Sequence, residues 1–469
     1  MMRMNQHSSS SLATSALRAI VILGALVLSF ELTRRAIPRY LPRDWAGAHE
    51  LDAIEDWKAA RLFFQGVSPY SPQGLAAIGE TAMGHPPTTP FWYLPLAEFP
   101  KATAVQLSTF LVWVLLPIHG YLCAKALKFP FPVVTALLTA SLLFASSFVK
   151  YHCDATQFSE PIAVLYVASW WFLRRGEDLR GGACLGLALT MKLFPGVMLV
   201  MLLLARRFRA LFAATFSYLA VAAFMTRVYG FRAWPEFFAQ QRGVSEQWLG
   251  CLSNSSLSGL ILQLITPACV TQGHPSKTAT LITLSSSLLL LAFSSWLSWS
   301  HFKAARAGTL RAVDLPFALF ALLSVFLNAW VWDHYAVLVV QPLFILVATF
   351  ARSGQLAFRS WCDERLTNQQ LLAFGIAVAA GLAGVLLTLA TLSQDSHRLV
   401  EMLNLWQQSP LPFYHGQLHF LQVENFAVWV IPILLCFLAF PLLRRAGAAE
   451  AAQRRERSLA LAAPQRPTL

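Results

Sequence analysis

The side chains of this sequence that could do chemistry are few and scattered, and the densest group is acidic. Asp52, Glu55 and Asp56 fall within Leu51-Asp-Ala-Ile-Glu-Asp-Trp-Lys-Ala-Ala-Arg-Leu-Phe-Phe-Gln-Gly66, and Pro69-Tyr70 follows. A carboxylate can act as a general base toward a hydroxyl nucleophile. It can also simply favour a helix start, where the macrodipole stabilises negative charge, and spacing alone favours that reading of Asp52. His334 sits in Trp332-Asp333-His334-Tyr335 at the end of an apolar run. Histidine titrates near neutrality, but an aromatic cluster at that position also reads as an interfacial belt. Lys192 and Gln157 lie in or beside apolar runs, and Asn254 interrupts another. An ionisable group within such a run marks function unless its long stem carries the charge out to the interface. Trp45, Trp57, Trp92 and Tyr93 offer flat faces to a sugar or an isoprenoid chain, or else anchor the chain at the membrane surface.

The signatures of metalloproteases, P-loop ATPases, dinucleotide-binding folds and serine hydrolases are missing from the sequence; each needs a fixed local spacing. Cysteine gives no C-x-x-C pair. Cys123, Cys184, Cys362 and Cys436 fall in or at the ends of apolar runs, and a Cys251–Cys269 bridge is open on the outer side.

The elements that must position these residues are membrane spans. Of 469 residues, 56% are apolar and 13% charged, about half the charge of a soluble domain. Runs such as 104–122, 278–299 and 371–392 reach the ~20 residues that cross a bilayer. The formal charge of +13 sits at the ends of apolar runs, so it sets topology rather than binding nucleic acid. Threading by loop charge starts from a cytoplasmic N-terminus and an uncleaved first span at 16–33. A long outer segment, 34–103, follows, and connections of that length are usually functional. Within it Ile54, Trp57, the stem of Arg61, Leu62 and Phe64 suggest a helix on the membrane surface with Asp52 near its start. Arg34, Arg35, Arg39 and Arg43 break the charge rule there.

Further spans are expected at 104–125, 131–149, 161–173, 210–226, 278–299, 313–332, 336–351, 369–392 and 425–443. The run 181–205 is expected to break at Lys192-Leu-Phe-Pro-Gly196 into two short half-helices, which keeps Arg206, Arg207 and Arg209 inside and leaves Lys192 facing protein or water. With the short piece 257–265 this makes about twelve membrane segments. Residues 1–445 form one integral membrane domain, and 446–469 are expected to be a disordered basic cytoplasmic tail. The threading gathers the first loop, Gln157, Lys192, Asn254 and His334 on the outer face.

Several elements, in order over about residues 45–350, give the chain a family likeness. They are Asp52 with Ala59-Ala60, Leu62 or Phe63, Gly66 and Pro69-Tyr70; Phe91-Trp-Tyr-Leu-Pro-Leu96; Thr156-Gln157; Gly186-Leu-Ala-Leu-Thr-Met-Lys-Leu-Phe-Pro195; Asn254-Ser-Ser-Leu257; and Trp332-Asp-His-Tyr335. In these the chain resembles the polyprenyl-phosphate-mannose-dependent mannosyltransferases of glycosyltransferase family 87, which have the GT-C architecture. It departs from their pattern at Ala53, Asp56-Trp57, Leu94 and Thr156.

The resemblance implies an all-α polytopic membrane protein: a GT-C-like bundle with a long helical first outer loop, in a bacterial inner membrane and with its site outside. It implies transfer of a hexose, mannose by family likeness, from a polyprenyl-phosphate-linked donor to a glycolipid or glycan, with inversion. Asp52 would be the base and His334 its support. Lys192, Gln157 and Asn254 would hold the donor phosphate, and Tyr70, Trp92, Tyr93, Trp332 and Tyr335 would line the substrates. No metal and no cofactor is expected. Only Asp52 matches the family register, so Glu55 and Asp56 are expected to be dispensable. A lipid-sugar flippase and a non-catalytic scaffold of an envelope complex are the rival readings.

Overall fold

The computed structural model describes residues 19–20, 22–34, 52–80, 82–129, 131–146, 149, 157–248, 254–265, 277–304, 310–362 and 428–442, and every regular element among them is helical. The expected span 369–392, the Cys251–Cys269 pair and the tail 446–469 lie outside these residues.

Helix α1 covers 22–34. The long first loop holds α2 (Asp52–Phe64), α3 (Pro72–Ile78) and a 3-10 segment, Thr89–Leu96. Then come α4 (Lys101–Ala126), α5 (Pro132–Ala145), α6 (Ser159–Arg174), α7 (Asp178–Met191) and α8 (Val197–Leu204). Beyond them lie α9 (Phe208–Tyr229), α10 (Ala233–Trp248), α11 (Leu257–Ile265), α12 (Lys277–Ala304), α13 (Asp314–Phe326), α14 (Val340–Cys362) and α15 (428–442).

Among the described residues α4, α9, α12 and the stretch His334–Ala351 are long and apolar enough to cross a membrane alone. The other membrane segments are shorter. The run expected to span 313–332 is helical only to Phe326, and at ~1.5 Å per residue α13 rises only ~20 Å. Beyond it a turn leads into a further 3-10 segment, Asp333–Val339. Irregular backbone at membrane depth survives only where protein or water satisfies it, and this turn has such partners: Asn254 donates to the Ala329 carbonyl and accepts from the Val331 amide, and the Ser255 amide donates to the Val331 carbonyl.

A belt of ion pairs and cation–π contacts gathers one end of the bundle. Arg174 Nε lies 2.8 Å from Asp314 Oδ1, which also accepts from Trp170 Nε1 at 2.9 Å. Arg174 also donates to the Ala126 carbonyl, and Arg207 pairs with Asp178 at 2.7 Å. Lys125 lies over the Trp171 ring and Arg206 over Trp299. These contacts bring the ends of α4 and α6, the start of α7, the chain after α8, the C-terminal part of α12 and the start of α13 to one level.

The Asp178–Arg207 pair also fixes the path of the expected broken span. A continuous helix from 178 to 207 would part these residues by ~40 Å, so the chain must double back. Helix α7 stops at Met191, Lys192 is extended (φ −148, ψ 150), and Phe194–Gly196 turns into α8. Pro195 explains the stop, because it lacks an N–H and restricts the residue before it. Beside this hairpin α9 packs closely on α7 through small residues. A Cβ on Gly182 would lie 2.0 Å from the Ala210 carbonyl oxygen, and one on Gly186 2.2 Å from that of Ala214. The spacing Gly-x-x-x-Gly against Ala-x-x-x-Ala is the small-residue seam by which membrane helices approach.

Candidate functional site

At the opposite end of the bundle, four polar side chains from four separate parts of the chain form one buried row. Asp56 on α2 is fully buried, and its Oδ2 lies 2.7 Å from His85 Nδ1. His85 Nε2 lies 2.7 Å from Lys192 Nζ, which donates to Gln157 Oε1 at 3.1 Å. An imidazole set between a carboxylate at one nitrogen and an amine at the other can donate to the first and accept from the second. The ammonium of Lys192 also lies 5.5 Å from the centroid of the Tyr335 ring, within range of a cation–π attraction.

Helix α2, expected to lie along the membrane surface, is covered by other parts of the chain on most of its sides. Ala53, Ile54, Asp56, Trp57, Ala59, Ala60 and Leu62 are all buried, while Phe64, expected on the apolar face, is 59% exposed. The physical reason is the narrow Ala59-Ala60 waist, which lets neighbours approach from several sides. Tyr229 at the end of α9 donates its hydroxyl to the Ala59 carbonyl at 2.8 Å, and Trp57 Nε1 donates to the Leu96 carbonyl at 3.1 Å. Asp52 opens this helix, one turn ahead of Asp56 on the same stripe.

His85 is held by its own loop. Tyr70 is enclosed, and its hydroxyl donates to the His85 carbonyl at 2.5 Å. Burial first, and the Asp56 carboxylate second, push that hydroxyl well above the ordinary tyrosine value, so it remains a donor at any physiological pH. Helix α10 clamps the loop from outside. Gln240 donates to the Tyr70 carbonyl and accepts from the Met83 amide, and Gln241 donates to the Met83 carbonyl. Next, Thr89 donates its hydroxyl to the Met191 carbonyl at 2.8 Å, and Trp92 Nε1 donates to Thr190 Oγ1 at 2.9 Å. The last carbonyls of a helix have no partner within it, so the first loop completes the end of α7 from which Lys192 projects. Tyr93 lies edge-on to Phe158, 5.1 Å between centroids.

The remaining wall comes from the turn after α13. Asn254 Oδ1 accepts from the amides of Ser256 and Val331, and its Nδ2 donates to the Ala329 carbonyl. Ser255 donates its amide to the Val331 carbonyl at 2.9 Å. Asn254 therefore ties the start of α11 to the turn that carries Trp332, His334 and Tyr335. His334 and Tyr335 are 2% and 1% exposed, which corrects the interfacial-belt reading of both residues. Their rings lie 4.5 Å apart, and Tyr335 meets Phe194 edge-on at 5.4 Å.

The structure thus brings Gln157, Lys192 and Tyr335 into contact, with Trp92 and Tyr93 one residue layer away. Two further residues of the row, His85 and Asp56, carry no sequence signal that singles them out: His85 lies in a Pro-rich loop with no pattern around it, and Asp56 is off the family register. Among the described residues no group of three or more His, Cys, Asp or Glu side chains could hold a metal ion. A sequence model described as glycosyltransferase family 87 matches residues 84–324, just over half of the chain, taking in His85, Gln157, Lys192 and Asn254. No curated protein and no solved structure matches it.

Proposed function

The chain belongs to glycosyltransferase family 87 and is an all-α membrane glycosyltransferase, and from that premise we propose that it moves a hexose from a polyprenyl-phosphate-linked donor to a glycolipid or glycan. Mannose is the sugar the family resemblance favours. The observation that carries this reading is Lys192: a lysine buried between two half-helices, held by neutral partners on two sides, at the end away from the basic belt. An ammonium so placed suits a phosphate whose negative charge grows as the glycosidic bond breaks, because preorganised donors act strongly in a water-poor pocket.

The reaction is a single displacement. The acceptor hydroxyl oxygen bonds to the anomeric carbon, the bond from that carbon to the phosphate oxygen breaks, and the polyprenyl phosphate leaves with the electron pair. The configuration inverts. Asp52 takes the hydroxyl proton from the first turn of α2, and the His334 turn, fixed by Asn254, closes the acceptor side. Charge on the leaving group is met by Lys192 with Gln157 beside it. By the positive-inside rule the basic belt is cytoplasmic, so the site opens to the outer side of a bacterial inner membrane.

The purified protein in liposomes, given a polyprenyl-phosphate-[³H]mannose donor and envelope glycolipids, should yield labelled glycolipid. Donor that crosses the bilayer with no transferred label would identify a flippase instead. Truncated glycolipids in a deletion strain, read by mass spectrometry, would name the acceptor.

A further inference from the structure

The row Asp56–His85–Lys192 has a proton count that ties its members together. We propose that Asp56 and His85 are a positioning relay for Lys192: the carboxylate fixes His85 as the neutral Nδ1–H tautomer, and the Nε2 lone pair then holds the lysine charged and aimed at a lipid-linked phosphate. This rests on the reading that Lys192 meets the donor phosphate, and it adds what keeps that lysine competent.

The argument is geometric. His85 Nε2 and Lys192 Nζ lie 2.7 Å apart, a separation at which one hydrogen fits between two nitrogens. If His85 is neutral, that hydrogen belongs to the ammonium. If His85 takes a second proton, two cationic N–H groups face each other, and Lys192 must leave its place or give up its charge. Three groups face the imidazole: Asp56 from α2 on Nδ1, Lys192 from the helix break on Nε2, and the Phe158 ring. The Tyr70 hydroxyl serves the His85 backbone carbonyl, and that of Tyr229 serves Ala59, so neither competes for the ring. With Asp56 negative, His85 neutral and Lys192 positive, the row carries no net charge, which suits its burial. One ammonium N–H goes to His85 and another to Gln157; the third remains for a phosphate oxygen.

The relay makes phosphate binding sensitive to pH through a histidine rather than through the ligand. The probe is methyl polyprenyl phosphate, a diester whose single charge does not titrate between pH 5 and 8. It is bound to the full chain in nanodiscs. Wild-type affinity should fall on the order of tenfold from pH 8 to pH 5.5, because a second proton on His85 turns Nε2 from an acceptor into a donor. His85→Gln keeps an acceptor for Lys192 but takes up no proton; it should bind within about threefold of wild type at pH 8 and lose most of the acid limb. Asp56→Asn should bind about tenfold more weakly at every pH, since a charge-assisted bond is lost. Lys192→Gln separates the two claims. If it binds the diester like wild type, the assignment of Lys192 to phosphate fails. If it binds poorly while His85→Gln keeps the full acid limb, the relay fails. A wild-type affinity flat from pH 5.5 to 8 overturns the relay without any variant having to fold.

Discussion

Asp52 and Asp56 sit one turn apart on α2, and the proposed mechanism assigns them different work. Asp52→Asn keeps the shape and the capping capacity of the residue but removes its basicity. As the general base, its loss should lower turnover by ~10² to 10⁴ while donor affinity and thermal stability hold; a variant with wild-type turnover would show that Asp52 only caps the helix. Asp56→Asn should fail differently. Its Oδ1 has no hydrogen-bond partner among the described residues and its Oδ2 holds His85, so the substitution should cost about 1–3 kcal/mol in a chemical-denaturation measurement, together with weaker donor binding. Glu55→Gln should leave both readouts near wild type. The family register separates Asp52 from its neighbours by matching positions, which carries no information on burial. That is why Asp56 looked dispensable until its partner came into view: His85 lies 29 residues away along the chain, and no local spacing encodes the contact.

The element that sets the site is the α7–α8 hairpin, and its seam with α9 is what aims it. Adding even a methyl at Gly186 places a Cβ 2.2 Å from the Ala214 carbonyl oxygen, so the helices must part. Gly186→Val should therefore destabilise the protein by about 1–3 kcal/mol and weaken donor binding by displacing Lys192. Gly243→Ala on α10, where nothing lies within 4 Å of the added carbon, is the contrasting substitution and should leave the midpoint unchanged or slightly raised. Equal midpoints for the two variants would show that the seam does not carry the packing proposed for it. This hairpin was legible in the sequence because Lys192 and Pro195 interrupt an otherwise apolar run and leave few physical solutions. Helix α2 was legible in extent but not in setting. Its amphipathic pattern shows which residues avoid water, and that is the same whether the cover is a bilayer or other helices.

Across the whole molecule, charge and polarity separate to opposite ends. Arg174, Arg206, Arg207 and Lys125 mark one end, and the Asp56 row with the His334 turn marks the other. Cysteines introduced at 68–90 or near 410 should react with an impermeant maleimide applied outside, and those at 303–311 or 446–469 should not. Reaction of the first loop from the inside alone would reverse the proposed orientation and end the outer-face mechanism. Removing 447–469 should leave turnover nearly intact at normal protein level, because a cytoplasmic tail cannot reach an outer site. The return of the run 181–205 to the basic end was readable from the charges of Arg206, Arg207 and Arg209, which act locally at an apolar end. The lengths of the short helices were not, because hydropathy reports where a segment avoids water and not where its hydrogen-bonded ladder stops.

The α7–α8 hairpin carries a consequence for the bilayer itself. At ~1.5 Å per residue the 14 residues of α7 and the 8 of α8 rise ~21 and ~12 Å, against a hydrocarbon layer of ~30 Å. The first loop fills part of that shortfall through Thr89 and Trp92; where lipid meets the hairpin directly the leaflet would have to thin, at an elastic cost that grows with membrane thickness. Turnover in vesicles of a single lipid should then be fastest in thin bilayers and decline as acyl chains lengthen from about 14 to about 22 carbons.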